Sequence, residues 1–229
     1  SNVPLANSVF AVDLDQDGDI DIISSSAFDN RIIWHNNDNN NFTDIILVEN
    51  VLGATSLYAD DLDGDNNIDI ISANTEENKI VWYQNNGSQV FTNNFEATIN
   101  APRSVSVIDV DGDGYKDILG SSSEESDGQV IWCKNDSFGS FIIEEIDNDA
   151  GGSKQVTAVD LDGDNDIDVL SAAYNDDIIV WYENDGIENF TKHNLSNAPK
   201  SNSIYVSDID LDGDIDVLSA SQENNLILW

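Results

Sequence analysis

Asp61-Leu-Asp-Gly-Asp-Asn-Asn-Ile-Asp69 is one of five nine-residue segments that align without gaps. The others are Asp13-Leu-Asp-Gln-Asp-Gly-Asp-Ile-Asp21, Asp109-Val-Asp-Gly-Asp-Gly-Tyr-Lys-Asp117, Asp160-Leu-Asp-Gly-Asp-Asn-Asp-Ile-Asp168 and Asp208-Ile-Asp-Leu-Asp-Gly-Asp-Ile-Asp216. Their first Asp residues stand 48, 48, 51 and 48 apart. A Trp follows each first Asp by 21, 21, 23, 21 and 21 residues: Trp34, Trp82, Trp132, Trp181 and Trp229. These are all five Trp residues of the chain, so the period belongs to the whole sequence.

Within each period the runs are short and β-branched. An apolar stretch such as Val9-Phe10-Ala11-Val12 precedes the acidic segment, and Ile22-Ile23 or Val169-Leu170 follows it. A Ser-rich loop leads to a run ending in Trp, as in Lys79-Ile-Val-Trp-Tyr83, and Asn-rich turns lead to a fourth run near Phe42, Phe91, Phe141 and Phe190. Such runs bounded by Asn, Asp, Gly and Ser read as strands, and no stretch sustains a 3.6-residue apolar period. Four strands per period predict an all-β chain of four-stranded antiparallel β-propeller blades. A linear β-solenoid is the rival stack. The expected organisation is a single repeat domain, 1–229, with blades near 1–50, 51–98, 99–148, 149–196 and 197–229. Ser1–Ser8 aligns with Ser196–Ser203, which places the start after a missing fourth strand, and the fifth unit lacks its outer strand. The chain thus reads as a fragment of a larger array.

Positions 1, 3, 5 and 9 of the acidic segment are Asp in all five copies. Carboxylates at alternating positions of a tight turn converge and repel unless a cation lies among them. Hard oxygens with no His or Cys suit Ca²⁺ over Zn²⁺, and Mg²⁺ would keep more of its water. The expected ligands are Asp13, Asp15, Asp17, Asp19 and Asp21; Asp61, Asp63, Asp65, Asn67 and Asp69; and Asp109, Asp111, Asp113, Tyr115 and Asp117. Asp160, Asp162, Asp164, Asp166 and Asp168 form the fourth set, and Asp208, Asp210, Asp212, Asp214 and Asp216 the fifth. Position 7 varies from Asp to Tyr115, as expected if it offers only a backbone carbonyl. Position 6 is Gly or Asn, the residue types that enter left-handed backbone at little cost. One Ca²⁺ per repeat, five in all, is the expected cofactor content. An EF-hand is excluded, because position 12 is Ser24, Ser72, Gly120, Ser171 or Ser219 and not Glu, and strands flank the loop.

Composition narrows the partners. The 229 residues carry 45 acidic and 8 basic side chains, a formal charge of −37. No basic patch for nucleic acid or for an anionic membrane surface can be assembled from so few cations. No apolar run of bilayer length occurs. The acidic segments hold 23 of the 45 acidic residues, and five Ca²⁺ would bring the charge to −27. The remaining excess fits a salt-adapted source. Cys133 is the single cysteine, so neither an internal disulfide framework nor a Cys-based zinc site exists. The chain has no Met, and Ser1 reads as the start of a processed or excised piece.

The segments D-x-D-x-D-G-x-x-D, I-[DV]-[IL]-S and I-x-W-[YH]-x-N together resemble the FG-GAP/VCBS repeat family over essentially the whole chain. Related calcium loops occur in the propeller of integrin α subunits and in secreted bacterial proteins, and the form Ile179 to Gly186 is most similar to surface proteins of Bacteroidetes. The resemblance implies a seven- or eight-bladed propeller in the intact protein, an extracellular, secreted or cell-surface location, and calcium between the first two strands of each blade. Asn66, Asn165 and Leu211 depart from the family pattern without removing a ligand.

Other residues read as structural. The Trp register favours core packing over sugar stacking. His35 and Cys133 occupy the slot of Tyr83 and Tyr182, and His193 has no matching nucleophile. The sequons at Asn41, Asn86, Asn135, Asn189 and Asn194 are expected in so Asn-rich a chain. The loops Ser24–Arg31, Ser72–Lys79, Ser121–Gln129 and Ser171–Asp177 vary between repeats and form the candidate binding rim. The sequence therefore reads as a non-enzymatic, calcium-binding adhesion module for a protein or carbohydrate ligand. A propeller of a polysaccharide-degrading enzyme and a structural spacer are the alternatives.

Overall fold

In the computed structural model, residues 6–124, 128–136, 139–223 and 225–229 are described. Residues 1–5, on which part of the Ser1–Ser8 alignment rests, and residues 125–127 of the Ser121–Gln129 loop lie outside them. The described residues contain strands and turns and no helix. The first repeat holds β1 (Ala6–Val12), β2 (Asp21–Ser26), β3 (Arg31–Asp38) and β4 (Asn41–Glu49). The second holds β5 (Ala54–Asp60), β6 (Asp69–Asn74), β7 (Lys79–Asn85) and β8 (Phe91–Thr98). The third holds β9 (Pro102–Ile108), β10 (Asp117–Ser122), β11 (Val130–Asn135) and β12 (Phe141–Asp147). The fourth holds β13 (Ser153–Val159), β14 (Asp168–Ala173), β15 (Ile178–Asn184) and β16 (Phe190–Asn197). β17 (Ser201–Ser207), β18 (Asp216–Ser221) and β19 (Leu226–Leu228) form a three-stranded fifth sheet. Strands pair with their chain neighbours, and the recorded ladders are antiparallel. The fold is all-β, made of β-propeller blades.

Two compact units divide the chain: Ser1–Val105 with Ser137–Ser140, and Ser106–Asp136 with Phe141–Trp229. In the first, Leu14, Ile23, Ile32 and Trp34 of one blade pack against Leu57, Ile70, Val81 and Tyr83 of the next. In the second, Leu119, Val130 and Trp132 pack against Val156, Val169, Val180 and Tyr182. A further layer joins Leu170, Ala172 and Ile179 to Ala198 and Ile204. Burial explains the composition of each strand. β6, β10 and β14 are sealed along their whole length, so they combine Ile, Leu and Val with Ser, Ala and Gly, which leave room for the neighbouring sheet. The outer strands β4, β8, β12 and β16 are largely exposed and carry Asn, Thr, Lys and Glu. Trp34, Trp82 and Trp132 are buried as the register predicts. Trp229 is 72% exposed, because no described sheet covers that face of the fifth blade.

Side chains also join blade to blade. The first strand of a blade has an edge without a strand partner, and in the first, second and fourth repeats the residue five before the acidic segment bonds to the first strand of the next blade. In the first unit the N–H of Leu57 donates to Ser8 Oγ at 3.1 Å, and that of Val105 donates to Ser56 Oγ at 3.3 Å. In the second unit Gln155 fills the equivalent slot. Its amide donates to Ile204 O and accepts from Ile204 N–H, each at 3.0 Å.

Asp147 fastens the third and fourth blades. Its Oδ2 accepts from the Tyr182 hydroxyl at 2.7 Å and pairs with Lys192 Nζ at 2.7 Å. Burial pushes the Asp147 carboxyl up, but Lys192, the Asp149 N–H and Tyr182 outweigh it and hold the group below its usual value of 3.8. A depressed folded-state value contributes stability above the unfolded value and loses it as pH falls through the folded one. Asp147→Asn is therefore expected to cost about 2 kcal/mol near pH 7. The gap between the thermal melts of the two proteins should be smaller at about pH 2 than at pH 7, because the ionic contribution is lost as pH falls through the depressed folded value. An equal gap at both pH values would contradict the ionic account.

Candidate metal centres

Each acidic segment is the turn between the first two strands of its blade, and the five turns share one hydrogen-bond plan. Position 1 accepts from the backbone with both oxygens. Asp61 takes the N–H groups of Gly64 and Asn66, each at 2.8 Å, and Asp109 takes those of Asp113 and Gly114 at 3.1 and 2.9 Å. Asp13, Asp160 and Asp208 do the same. Position 5 accepts from the N–H of position 7: Asp17 from Asp19, Asp65 from Asn67, Asp113 from Tyr115, Asp164 from Asp166 and Asp212 from Asp214. These Asx-type bonds give the turn its shape before any ligand enters.

Position 9 has a separate task. Oδ2 of Asp21, Asp69, Asp117, Asp168 and Asp216 accepts the N–H of position 2, from Leu14, Leu62, Val110, Leu161 and Ile209. Oδ1 of the first four accepts the N–H of Asn37, Asn85, Asn135 and Asn184 in the third strand, at 2.7 to 2.8 Å. The same Asn side chains donate to the carbonyl of position 8. This Asn stands three residues after each of the first four Trp residues. It was visible in the W-[YH]-x-N pattern, but its task needed the third dimension.

The indole groups of Trp82, Trp132 and Trp181 add a weaker stabilisation of the ionised Asp69, Asp117 and Asp168. For Trp132 and Trp181 that contact falls outside regular hydrogen-bond geometry. Burial dominates: it pushes Asp69 up to about 7 and Asp117 up to about 6, and it raises Asp168. Asp216 is less buried, and the Ile209 N–H and Trp229 lower it.

Three carboxylates per turn converge, with one oxygen from each within 4.8 Å of the others. They are Asp13, Asp15 and Asp17; Asp61, Asp63 and Asp69; Asp109, Asp111 and Asp117; Asp160, Asp162 and Asp168; and Asp208, Asp210 and Asp216. Asp19 and Asp21 lie outside the first group, and Asp65, Asp113, Asp164 and Asp212 outside the others. Asn67, Asp166 and Asp214 stand at position 7, as Tyr115 does. Asp19 there accepts the N–H of Asn39 at 2.8 Å, from the turn that follows the third strand. Asp15, Asp162 and Asp210 are raised by desolvation and by neighbouring carboxylates. Asp15 Oδ1 is buried without a hydrogen-bond partner. An orphaned carboxylate oxygen among like charges is a donor for a hard cation, and the residues fit a bound metal ion.

Position 4 carries a constraint that sequence reading placed only at position 6. The backbone φ is positive there in all five turns: Gln16 at 60°, Gly64 at 77°, Gly112 at 72°, Gly163 at 80° and Leu211 at 62°. Leu211 gains nothing in return, since its side chain is 85% exposed.

His35 links Ser24 Oγ at 2.8 Å to Asp44 Oδ1 at 2.7 Å, the order of a nucleophile, base and acid relay. Ser24 and His35 are 3% and 7% exposed in the middle of paired strands, so Ser24 Oγ faces packed protein and not substrate. Cys133 is likewise buried, and desolvation pushes its thiol up to about 12.

Two substitutions separate scaffold from turn. Asp69→Asn places an amide against one of two backbone donors and is expected to cost about 2–3 kcal/mol in chelator, whereas Asp65→Asn keeps its Asx bond and costs under about 1 kcal/mol. Equal losses in denaturant titrations would refute the division of roles. Leu211→Gly relieves left-handed strain and is expected to stabilise the chain by about 0.5–1 kcal/mol; a lower midpoint would refute the strain.

The comparisons with known proteins follow the same turns. A family model described as FG-GAP-like repeat matches residues 13–72, 61–120, 109–171 and 160–219, each match opening on the first Asp of a turn. No curated protein matches the chain. The crystal structure of the V. cholerae biofilm matrix protein Bap1 is similar in fold, with a TM-score of 0.57 and 18% identity over 100% of this chain. The chain spans 38% of that protein. With its matches running from Asp13 to Ser219, this chain belongs to the FG-GAP-like repeat family.

Proposed function

We propose that this chain is a calcium-stiffened propeller segment of an extracellular protein and works as a non-catalytic adhesion module for a protein or carbohydrate partner. The observation that carries the reading is the convergence of three carboxylates in every one of the five turns, on a single hydrogen-bonded frame. All donors are oxygens, which favours Ca²⁺ over the softer divalent metals. Positions 1, 3 and 9 (1, 3 and 5 in the first turn) would hold the ion. The remaining Asp side chains and the carbonyl of position 7 would complete the shell. A bound ion supplies the positive charge that the clustered carboxylates lack. Calcium at extracellular concentration suits sites of modest affinity. The likeness to a biofilm matrix protein supports a place in a surface or matrix assembly. The burial of Ser24 and His35 argues against hydrolysis by the Ser24–His35–Asp44 chain, because the hydroxyl has no open face.

Calcium is expected to raise the melting temperature, since the ion binds only the folded turns. Each occupied site contributes about 1.4 kcal/mol when calcium stands tenfold above its Kd. Identical melts in millimolar calcium and in EDTA would exclude the metal. Array capture of a glycan or protein in calcium, lost on chelation, is the expected sign of adhesion. A chain that calcium stabilises and that captures nothing is a spacer.

A further inference from the structure

In the first three repeats the residue two positions after the Trp reaches the Asp at position 3 of its own turn. In the first repeat Asn36 Nδ2 donates to Asp15 Oδ2 at 2.9 Å, and in the second the Gln84 amide donates to Asp63 Oδ2. Both are neutral, and either can turn aside for a metal without moving a charge. The third repeat has Lys134 in that slot. Its ammonium lies 2.6 Å from Asp111 Oδ2 and 2.6 Å from Glu188 Oε1 of the next blade, with the Trp132 ring 5.4 Å beneath it. Asp111 is one of the three converging carboxylates of that turn, so a cation already sits at the edge of the cluster. The fourth repeat reverses the charge. Glu183 stands there, adds to the field on Asp162, and pairs with His193 Nε2 at 2.7 Å.

We propose that the ammonium of Lys134 is a built-in counter-cation of the third turn, so that this turn binds calcium most weakly of the first four and keeps its shape without it. The inference rests on the calcium reading above. Calcium entering the Asp109, Asp111 and Asp117 cluster must displace the ammonium from Asp111 or accept its repulsion at close range. The turns beside Asn36 and Gln84 impose neither cost. Glu188 and Trp132 hold Lys134 in place, which makes the competition a fixed feature of the fold and not a chance surface contact.

Every turn contains a glycine whose N–H donates to its first Asp, and these amides report the turns one by one: Gly18, Gly64, Gly114 and Gly163. The test is a calcium titration of the full chain labelled with ¹⁵N-glycine, followed at these four amides. Gly114 is expected to have the highest midpoint. Lys134→Gln, which copies the second repeat, should lower the Gly114 midpoint by about tenfold and leave the other three in place. Lys134→Arg keeps the charge and should keep the midpoint high. A Gly114 midpoint equal to that of Gly64 and unmoved by Lys134→Gln overturns the proposal. An Arg variant that behaves like Gln overturns it as well, since charge would not then be the cause. If none of the four amides responds to calcium, the calcium reading itself fails and this proposal falls with it.

Discussion

In the first four turns the carboxylate at the ninth position is tied to two backbone N–H groups that lie far apart in sequence. Asp69 accepts one from Leu62 at the start of its turn and one from Asn85 at the far end of the third strand. One side chain thereby fixes the first hairpin against the next strand, and Asn85 closes the ring through the carbonyl of Ile68. A buried carboxylate is tolerable only with such donors. The rest of the blade depends on this knot: the turn keeps its shape because its closing residue cannot move, and the Trp layer packs against strands whose register is already set.

The same knot explains why the turns suit a cation. With the ninth residue held by the backbone, and the first residue held by two N–H groups of its own turn, three carboxylates are kept close together whatever their mutual repulsion. Burial then raises Asp69 and Asp117 well above the usual carboxylate range, a measure of how poorly the protein alone accommodates those charges. The first three repeats answer that demand at the edge of the turn in two ways: Asn36 and Gln84 with an amide, Lys134 with a full charge. The hydrogen-bonded turn thus stays constant while the residue at its edge changes from a neutral amide to a cation.

The five-fold recurrence of the acidic segment and of Trp fixed the period, the strand content and the blade class before any coordinates, because a spacing shared by the whole chain has few structural solutions. The alternation of Asp likewise pointed to the turns as metal sites, through charge repulsion alone. Three things were not legible. The role of Asn37, Asn85, Asn135 and Asn184 was hidden, since a hydrogen bond across 16 to 18 residues leaves no local signal. The exposure of Trp229 was hidden because burial depends on what packs alongside, and identical residues in identical registers can differ. The positive φ at position 4 was masked by Gln16 and Leu211, whose identities give no hint of left-handed backbone.

Sequence by itself determined which residues repeat, and therefore which elements form and where negative charge gathers. Tertiary structure alone decided what each Asp does: which oxygens the backbone claims, which three meet at one point, and which turn has a lysine at its edge. The reason is physical. Strand formation and charge density follow from the order of residues along the chain. The allotment of lone pairs among donors depends on distances between strands, and only the folded blade sets those.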